Sequence, residues 1–222
     1  MMPSVSIIIP TLNEEGNIAR LLFSINKEIN YIKPEIIVVD GYSIDRTVKI
    51  ARDNGAKIYF NKGGKGSALI KGISKSKGDI VIFMDADLSH KPTELRRLIS
   101  AIDSGYDVCM GSRFLDGGGS DDISFVRKLG NYFFIWLINS IYGSKYTDIC
   151  YGYRSFSKKA LKKLNLNETS FGIETEISIK AKKQGLKVLE IPSFERKRYT
   201  GAGKLMAVRD GLIILSVILK NI

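Results

Sequence analysis

The chain is poor in the residues that build metal clusters and disulfide frameworks. It has one histidine, His90, and two cysteines, Cys109 and Cys150, each in an apolar or aromatic setting. A multi-histidine zinc site is excluded, and buried free thiols are expected in place of a bridge. No stretch reaches the ~20 apolar residues that a membrane-crossing helix needs. The longest apolar runs are 133–138 and 212–215, the latter resuming past Ser216 to Leu219. Met1-Met2-Pro3-Ser4 leads straight into a strand pattern, so no signal peptide is expected. The G-x-x-x-x-G-K-[ST] spacing of a Walker A loop is absent. So is any motif that reads a nucleic-acid groove, and the basic residues are not interleaved with aromatics, which argues against nucleic acid as a partner.

Charge of one sign is abundant: 34 Lys+Arg stand against 23 Asp+Glu, a formal net charge of +11. Such a chain favours anionic partners such as nucleotides or phospholipid headgroups. The 44% hydrophobic and 26% charged content is globular, and 222 residues suit one domain with one substantial core.

Apolar runs over 5–10, 35–40, 57–60, 79–84 and 107–111 alternate with helical patterns over 15–27, 45–54, 67–76 and 92–103. That rhythm predicts an α/β fold, a mostly parallel sheet in three layers. Thr11-Leu12-Asn13-Glu14 has capping-box spacing, Asp45 and Thr47 suit a helix cap, and Pro92 suits a first turn. Past residue 114 the rhythm breaks. A Gly/Asp/Ser loop at 115–122 precedes a helix over 125–142, apolar nearly all round in its second half. A loop and short strand follow at 147–156, then helices near 158–164 and 174–184, a strand at 186–191 and an amphipathic helix over 204–220.

The chemistry gathers at strand ends. Asp85-Ala86-Asp87 closes the apolar run 79–84 and is followed by Leu88-Ser89-His90. In open α/β sheets ligands bind outside the carboxyl ends of the strands. Two carboxylates spaced i, i+2 at such an edge can hold a divalent cation, which can hold a diphosphate; the alternative is a solvated loop with two ordinary acids. Pro10, Thr11, Asn13 and Glu14 end the first strand ahead of a helix N-terminus, where anions are favoured, and Asp40 occupies the matching end of the second. Lys62-Gly63-Gly64-Lys65-Gly66-Ser67 reads as a flexible basic lid or a surface turn.

Ile9-Pro10-Thr11-Leu12-Asn13-Glu14, Val39-Asp40, Lys65-Gly66-Ser67-Ala68 and Asp85-Ala86-Asp87-Leu88-Ser89-His90 follow one another at the spacing of glycosyltransferase family 2, which has the GT-A fold. Gly111-Ser112-Arg113-Phe114, Thr147-Asp148 and Gly152-Tyr153-Arg154 extend the resemblance. The segment 195–204 is similar to the closing R-x-x-G-x-S-K of the dolichol-phosphate mannose synthase branch, with Gly203 in place of the serine.

The resemblance implies a GT-A α/β/α sandwich over 1–222, with a nucleotide-sugar half at 1–114 and an acceptor and membrane-interface half at 115–222. It implies nucleotide-sugar contacts from Pro10, Thr11, Asn13, Glu14, Asp40, Lys65, Asp85, Ala86 and Asp87. Mg²⁺ or Mn²⁺ would sit at Asp85 and Asp87 with Ser89 adjoining. Arg113, Arg127, Arg198 and Lys204 would grip the acceptor phosphate, and Asp87 with the three arginines would carry catalysis. The reaction implied is inverting transfer of a hexose from GDP-mannose, UDP-glucose or UDP-N-acetylglucosamine to dolichyl or polyprenyl phosphate. It would take place at the cytoplasmic face of a membrane, where a small anchoring subunit or a second copy is a possible partner.

A family member using a hydroxyl acceptor is the alternative. It would need a general base, for which Asp148 and Glu174 are candidates. Their structural readings are a loop pin through Arg154 for Asp148 and a first-turn helix acid for Glu174. A catalytically silent binding partner is a third reading. The 133–138 run and the stripe Leu205, Val208, Leu212, Leu215, Leu219 are interfacial candidates or ordinary packing faces.

Overall fold

The computed structural model describes residues 3–200 and 207–222. The first half follows the sequence pattern closely: β1 (Val5–Thr11), α1 (Ile18–Glu28), β2 (Glu35–Asp40), α2 (Thr47–Asp53), β3 (Lys57–Phe60), α3 (Gly64–Lys75), β4 (Ile80–Phe83), a 3₁₀ turn at Pro92–Glu94, α4 (Leu95–Asp103) and β5 (Val108–Ser112). The second half adds β6 (Gly119–Ser120), α5 (Phe125–Tyr142), β7 (Arg154–Ser157), α6 (Lys158–Leu164), α7 (Ile173–Lys183), β8 (Val188–Pro192), β9 (Phe194–Glu195) and α8 (Ala207–Lys220).

Seven strands form one sheet in the order β3-β2-β1-β4-β7-β5-β8, and β6 pairs with β9 in a small ribbon. All pairings in the large sheet are parallel except those of β7, which runs antiparallel to both β4 and β5. Ile7, Ile8, Ile9, Val38 and Ile82 are fully buried. Central parallel strands are covered on both faces, which explains their unbroken β-branched runs. One core packs α1 and α4 against the sheet through Leu21, Leu22, Ile25, Leu95 and Leu98. The other packs α3, α5, α6, α7 and α8 through Leu69, Ile138, Leu161, Ile177 and Ile218. This is the three-layer, mostly parallel α/β architecture that the alternating pattern predicts.

Three expectations need correction. The 11–14 segment forms no capping box: Thr11 completes β1, and α1 starts at Ile18 behind Asn17. The helix expected over 67–76 starts earlier, because α3 already begins at Gly64 inside the glycine-rich segment. Its first turn lies against the backbone of residues 168–170, with Ser67 N donating to Thr169 O at 3.0 Å. A Cβ on Gly66 would come within 2.8 Å of Ser170 O, so glycine there permits the close approach. The stripe of α8 also divides differently. Val217 and Ile218 enter the core, whereas Val208, Leu212 and Leu219 are exposed. Leu205, like Gly203 and Lys204, lies outside the described residues.

Candidate active site

Three of the strand-to-helix turns at the C-terminal edge of the sheet hold a non-glycine residue at positive φ: Asn13 (57°) after β1, Tyr42 (67°) after β2 and Leu88 (66°) after β4. The left-handed region costs an ordinary residue about 1–2 kcal/mol, and such strain clusters at functional sites. Over these turns lies a cavity of about 1290 Å³, with strand ends on one side and α5 and α8 on the other.

The acids after β4 form its polar floor. Asp87 Oδ1 accepts from Ser89 N (3.0 Å) and Ser89 Oγ (2.6 Å), so Ser89 braces the carboxylate, while Oδ2 faces Arg198 Nη2 at 2.9 Å. Arg198 Nη1 reaches Glu14 Oε1 at 3.2 Å. Asp85 pairs with Lys65 Nζ at 2.9 Å, and Lys65 pairs equally closely with Glu174 Oε1. Burial works against the charge of both Asp85 and Lys65, but Lys65, His90 and Arg198 together outweigh it at Asp85, and Asp85 and Glu174 together outweigh it at Lys65. The carboxyl is held below its ordinary value and the ammonium above. Gly152 makes room for this cluster: a Cβ there would stand 2.7 Å from Lys65 Nζ and 3.4 Å from Asp85 Oδ2. His90 Nδ1 accepts from Asp85 N at 3.1 Å, and the ring stacks on Tyr153. Burial lowers its pKa, which suits a neutral ring accepting at Nδ1.

This donor set fits a hard divalent cation. Asp85 and Asp87 present carboxylate oxygens from one turn, and a divalent cation there would take the places that Lys65 and Arg198 now hold. Among the described residues no group of three or more His, Cys, Asp or Glu is arranged to hold a metal ion. The protein would offer two carboxylates and leave other positions to diphosphate and water, the usual pattern for Mg²⁺.

The far end of the cavity is lined by Leu12, Gly41, Asn61 and Lys62, with Pro10, Thr11 and Ala86 between it and the acids. Asp40 and Asn13, expected to contact nucleotide, do not line it. Asp40 is fully buried and accepts from Thr11 Oγ1 (2.9 Å), Ser43 N (2.7 Å) and Ser43 Oγ (2.6 Å). Asn13 bonds Ser43 Oγ through its backbone N and accepts from Ile44 N. Both tie the β1 and β2 turns together and so shape the pocket from behind.

The arginines are placed differently from one another. Arg113 lines the cavity but is 5% exposed. Its Nε and Nη2 donate to Asp148 at 2.7 and 3.0 Å, and Nη1 donates to Glu195 at 3.1 Å. Asp148 therefore pairs with Arg113 and not, as its structural reading supposed, with Arg154. The Arg154 guanidinium donates instead to the carbonyls of Tyr151, Ile149 and Glu174. Arg127 stands at the cavity wall, 3.5 Å from Asp122. Lys204 lies outside the described residues. Glu174 does fall in the first turn of α7, yet its carboxylate serves Lys65. Sequence reasoning missed Asn131 and marked Gly152 and Glu195 only as parts of the family resemblance, because their places depend on contacts distant in the chain.

The remaining wall is apolar: Val126, Leu129, Phe133 and Trp136 from α5, with Val208 and Leu212 from α8. These six side chains are 51–80% exposed. No described helix is long and apolar enough to cross a membrane.

Residues 6–165 match the family model for glycosyl transferase family 2. The chain belongs to glycosyltransferase family 2. The family's relatives include a dolichol-phosphate mannosyltransferase of Pyrococcus furiosus, 36% identical over 90% of this chain; the chain spans 59% of that protein's length. A polyprenol monophosphomannose synthase of Mycolicibacterium smegmatis is 28% identical over 90% of this chain and 80% of its own. Among solved structures, glucosyl-3-phosphoglycerate synthase from Mycobacterium tuberculosis, in complex with Mn²⁺, UDP and phosphoglyceric acid, superposes with a TM-score of 0.78. It is 20% identical and covers 99% of this chain and 78% of its own, a likeness of fold. The GT-A expectation is thereby met.

Proposed function

We propose that this family 2 protein transfers a hexose from a nucleotide sugar to a dolichyl or polyprenyl phosphate at a membrane surface. The carrying observation is the cavity itself, which joins a carboxylate-and-cation floor to an exposed apolar wall on α5 and α8. A diphosphate suits the floor and an isoprenoid chain suits the wall. Residues 1–114 would hold the nucleotide sugar and residues 115–222 the acceptor, within one domain. Two relatives whose names specify transfer to dolichol phosphate or polyprenol support the reading.

Mg²⁺ or Mn²⁺ held by Asp85 and Asp87 would neutralise charge on the departing nucleoside diphosphate. Lys65 and Arg198, now spent on those acids, stand where they can turn to diphosphate oxygens. Pro10, Thr11 and Glu14 border the path towards the nucleoside end. Arg127 and Arg198, at the cavity wall, would orient the acceptor phosphate; guanidinium forks suit phosphate oxygens. Arg113 is tied to Asp148 and Glu195, so it would act chiefly by its fixed positive charge. A phosphate is already an oxyanion at neutral pH, so positioning and electrostatics replace a strong base. The apolar wall and the net positive charge support peripheral attachment to the cytoplasmic leaflet as part of this reading.

Incubation with radiolabelled GDP-mannose, UDP-glucose and UDP-N-acetylglucosamine, each with polyprenyl phosphate and Mn²⁺, tests this. Label from one donor should enter the organic phase, and EDTA should prevent it. Failure of all three donors would count against the reading; full transfer in EDTA would remove the metal from it.

A further inference from the structure

His90, the only histidine of the chain, is 1% exposed and ends the turn 85–90 that carries both acids. Asp85 opens that turn, and its N–H donates to His90 Nδ1 at 3.1 Å, so a side chain at the end of the turn closes it onto the backbone at its start. Between them the turn is strained, with Leu88 at a φ of 66°. Two aromatics box the ring: it stacks on Tyr153 with the centroids 4.7 Å apart and meets Tyr151 edge-on at 4.9 Å. The tyrosines stand there because β7 pairs antiparallel with β4, Arg154 opposite Phe83, which brings 151–153 beside the start of the turn. Tyr153 Oη donates to Lys91 O at 3.1 Å and so holds the chain just past the histidine.

Each acid therefore has its own brace: Ser89 holds the Asp87 carboxylate, and His90 holds the Asp85 backbone. The second ring nitrogen also faces Asp85. With Nδ1 accepting, the ring proton sits on Nε2. Nε2 lies 3.7 Å from Asp85 Oδ2, too far for a hydrogen bond while Lys65 Nζ donates to that oxygen at 3.0 Å. A divalent cation would take the place of Lys65 on this carboxylate. Nε2–H then stands ready to donate to Oδ2, with Oδ1 left to the cation.

We infer that His90 is a positioning residue for the divalent cation: it fixes the Asp85 backbone through Nδ1 and steadies Oδ2 through Nε2–H, so that Asp85 and Asp87 are presented together. The inference rests on those two acids holding the cation, as proposed above. A hydrogen-bonded partner behind a metal-binding group is worth about 10–100-fold in metal affinity. The alternative is a ring that only fills the space between Tyr151 and Tyr153, and the two readings rank substitutions in opposite orders. His90→Phe keeps a ring and loses the acceptor. His90→Asn keeps an acceptor near the place of Nδ1 and loses the ring.

Titration with Mn²⁺ in saturating UDP or GDP, followed by electron paramagnetic resonance, tests this with the wild type, His90→Phe, His90→Asn and Asp87→Ala, melting temperatures being measured alongside. His90→Phe should weaken Mn²⁺ binding about tenfold or more. His90→Asn should bind Mn²⁺ more tightly than His90→Phe, although loss of the ring lowers its melting temperature. His90→Asn no tighter than His90→Phe, no loss in either, or affinities that merely follow the melting temperatures overturn the inference; if Asp87→Ala still loses the ion, the metal assignment stands without it. A wild type that binds no Mn²⁺, or an Asp87→Ala that binds it fully, overturns the metal assignment and the inference with it. If His90→Phe does not fold, the wild type itself decides, because a single histidine gives one pair of ring resonances in protein labelled with ¹⁵N-histidine. The spectrum should show Nε2 protonated and Nδ1 bare, with the Nε2 resonance shifting when Mg²⁺ is added to the nucleotide-bound protein. A proton on Nδ1, or ring resonances indifferent to Mg²⁺, overturns the assignment.

Discussion

Arg198 Nη2 stands 2.9 Å from Asp87 Oδ2, so an arginine at the far end of the sequence reaches the acid pair at the end of β4. The segment carrying it is laid on that turn: Arg196 N donates to Ser89 O and Tyr199 N to Asp87 O. Losing a charge-assisted hydrogen bond to a phosphate costs about 1.5–3 kcal/mol, tenfold to more than a hundredfold in rate. Arg198→Ala should lower turnover by that factor and raise the KM for polyprenyl phosphate. Glu174→Gln should stay within about tenfold of wild type, since Asp85 still holds Lys65 and no base is required. Steady-state kinetics with the lipid varied checks both. The reverse ranking would favour a base-activated hydroxyl acceptor.

Asp148 is a buried partner of Arg113 before it is anything else. Removing one member of a buried ion pair costs about 3–5 kcal/mol because the other charge is left uncompensated. Glu195 remains near Arg113, so Asp148→Ala should sit near the low end, about 3 kcal/mol. Urea unfolding measures this. Unchanged stability together with abolished turnover would restore Asp148 as a base.

Away from the site, Glu35 accepts from Ser6 Oγ (2.6 Å), Lys77 N (2.8 Å) and Lys57 Nζ (2.6 Å). Burial works to raise its carboxyl, but these donors outweigh burial and hold it below the ordinary 4.5. A depressed carboxylate stabilises the fold above its unfolded value, and that contribution fades as pH falls through the folded one. Glu35→Gln should therefore melt at a lower temperature than wild type at pH 7, with the gap closing below about pH 4.5. Melting curves across pH 3–7 decide it; a constant gap would assign the effect to packing.

The sequence was legible where burial is two-sided and local. The β-branched runs around Ile7–Ile9 and Ile80–Ile82 announce central strands, and the 85–87 acids sit where such strands end. Periodicity failed on α8, because the helix is apolar nearly all round at 212–219 and cannot declare that Val217 and Ile218 are the buried face. Glycines at 63–66 suggested freedom, whereas they permit contact with 168–170. A strand-end acid such as Asp40 can face either way, and its hydrogen bonds with Thr11 and Ser43 could not be read from the sequence. Asn131 and Glu195 carry no local signal, since their roles arise from Asp148 and Arg113 folding onto them.

The exposed wall of α5 and α8 predicts peripheral attachment. Vesicles with an anionic lipid should float the protein at low salt and release it at high salt. Phe133→Asp with Trp136→Asp should reduce flotation severalfold, with turnover on a short water-soluble acceptor phosphate preserved. Unaltered flotation would move the contact elsewhere on the molecule.

The acceptor is the centre of the account, and one competition experiment addresses it directly. The radiolabelled donor that supports turnover is offered simultaneously to polyprenyl phosphate in detergent and to phosphoglyceric acid, the acid present in the solved relative of the same fold. Label should partition into the organic phase in a Mn²⁺-dependent way, with the aqueous acid left unlabelled. Label recovered on phosphoglyceric acid, with none in the lipid, would contradict the lipid-phosphate reading.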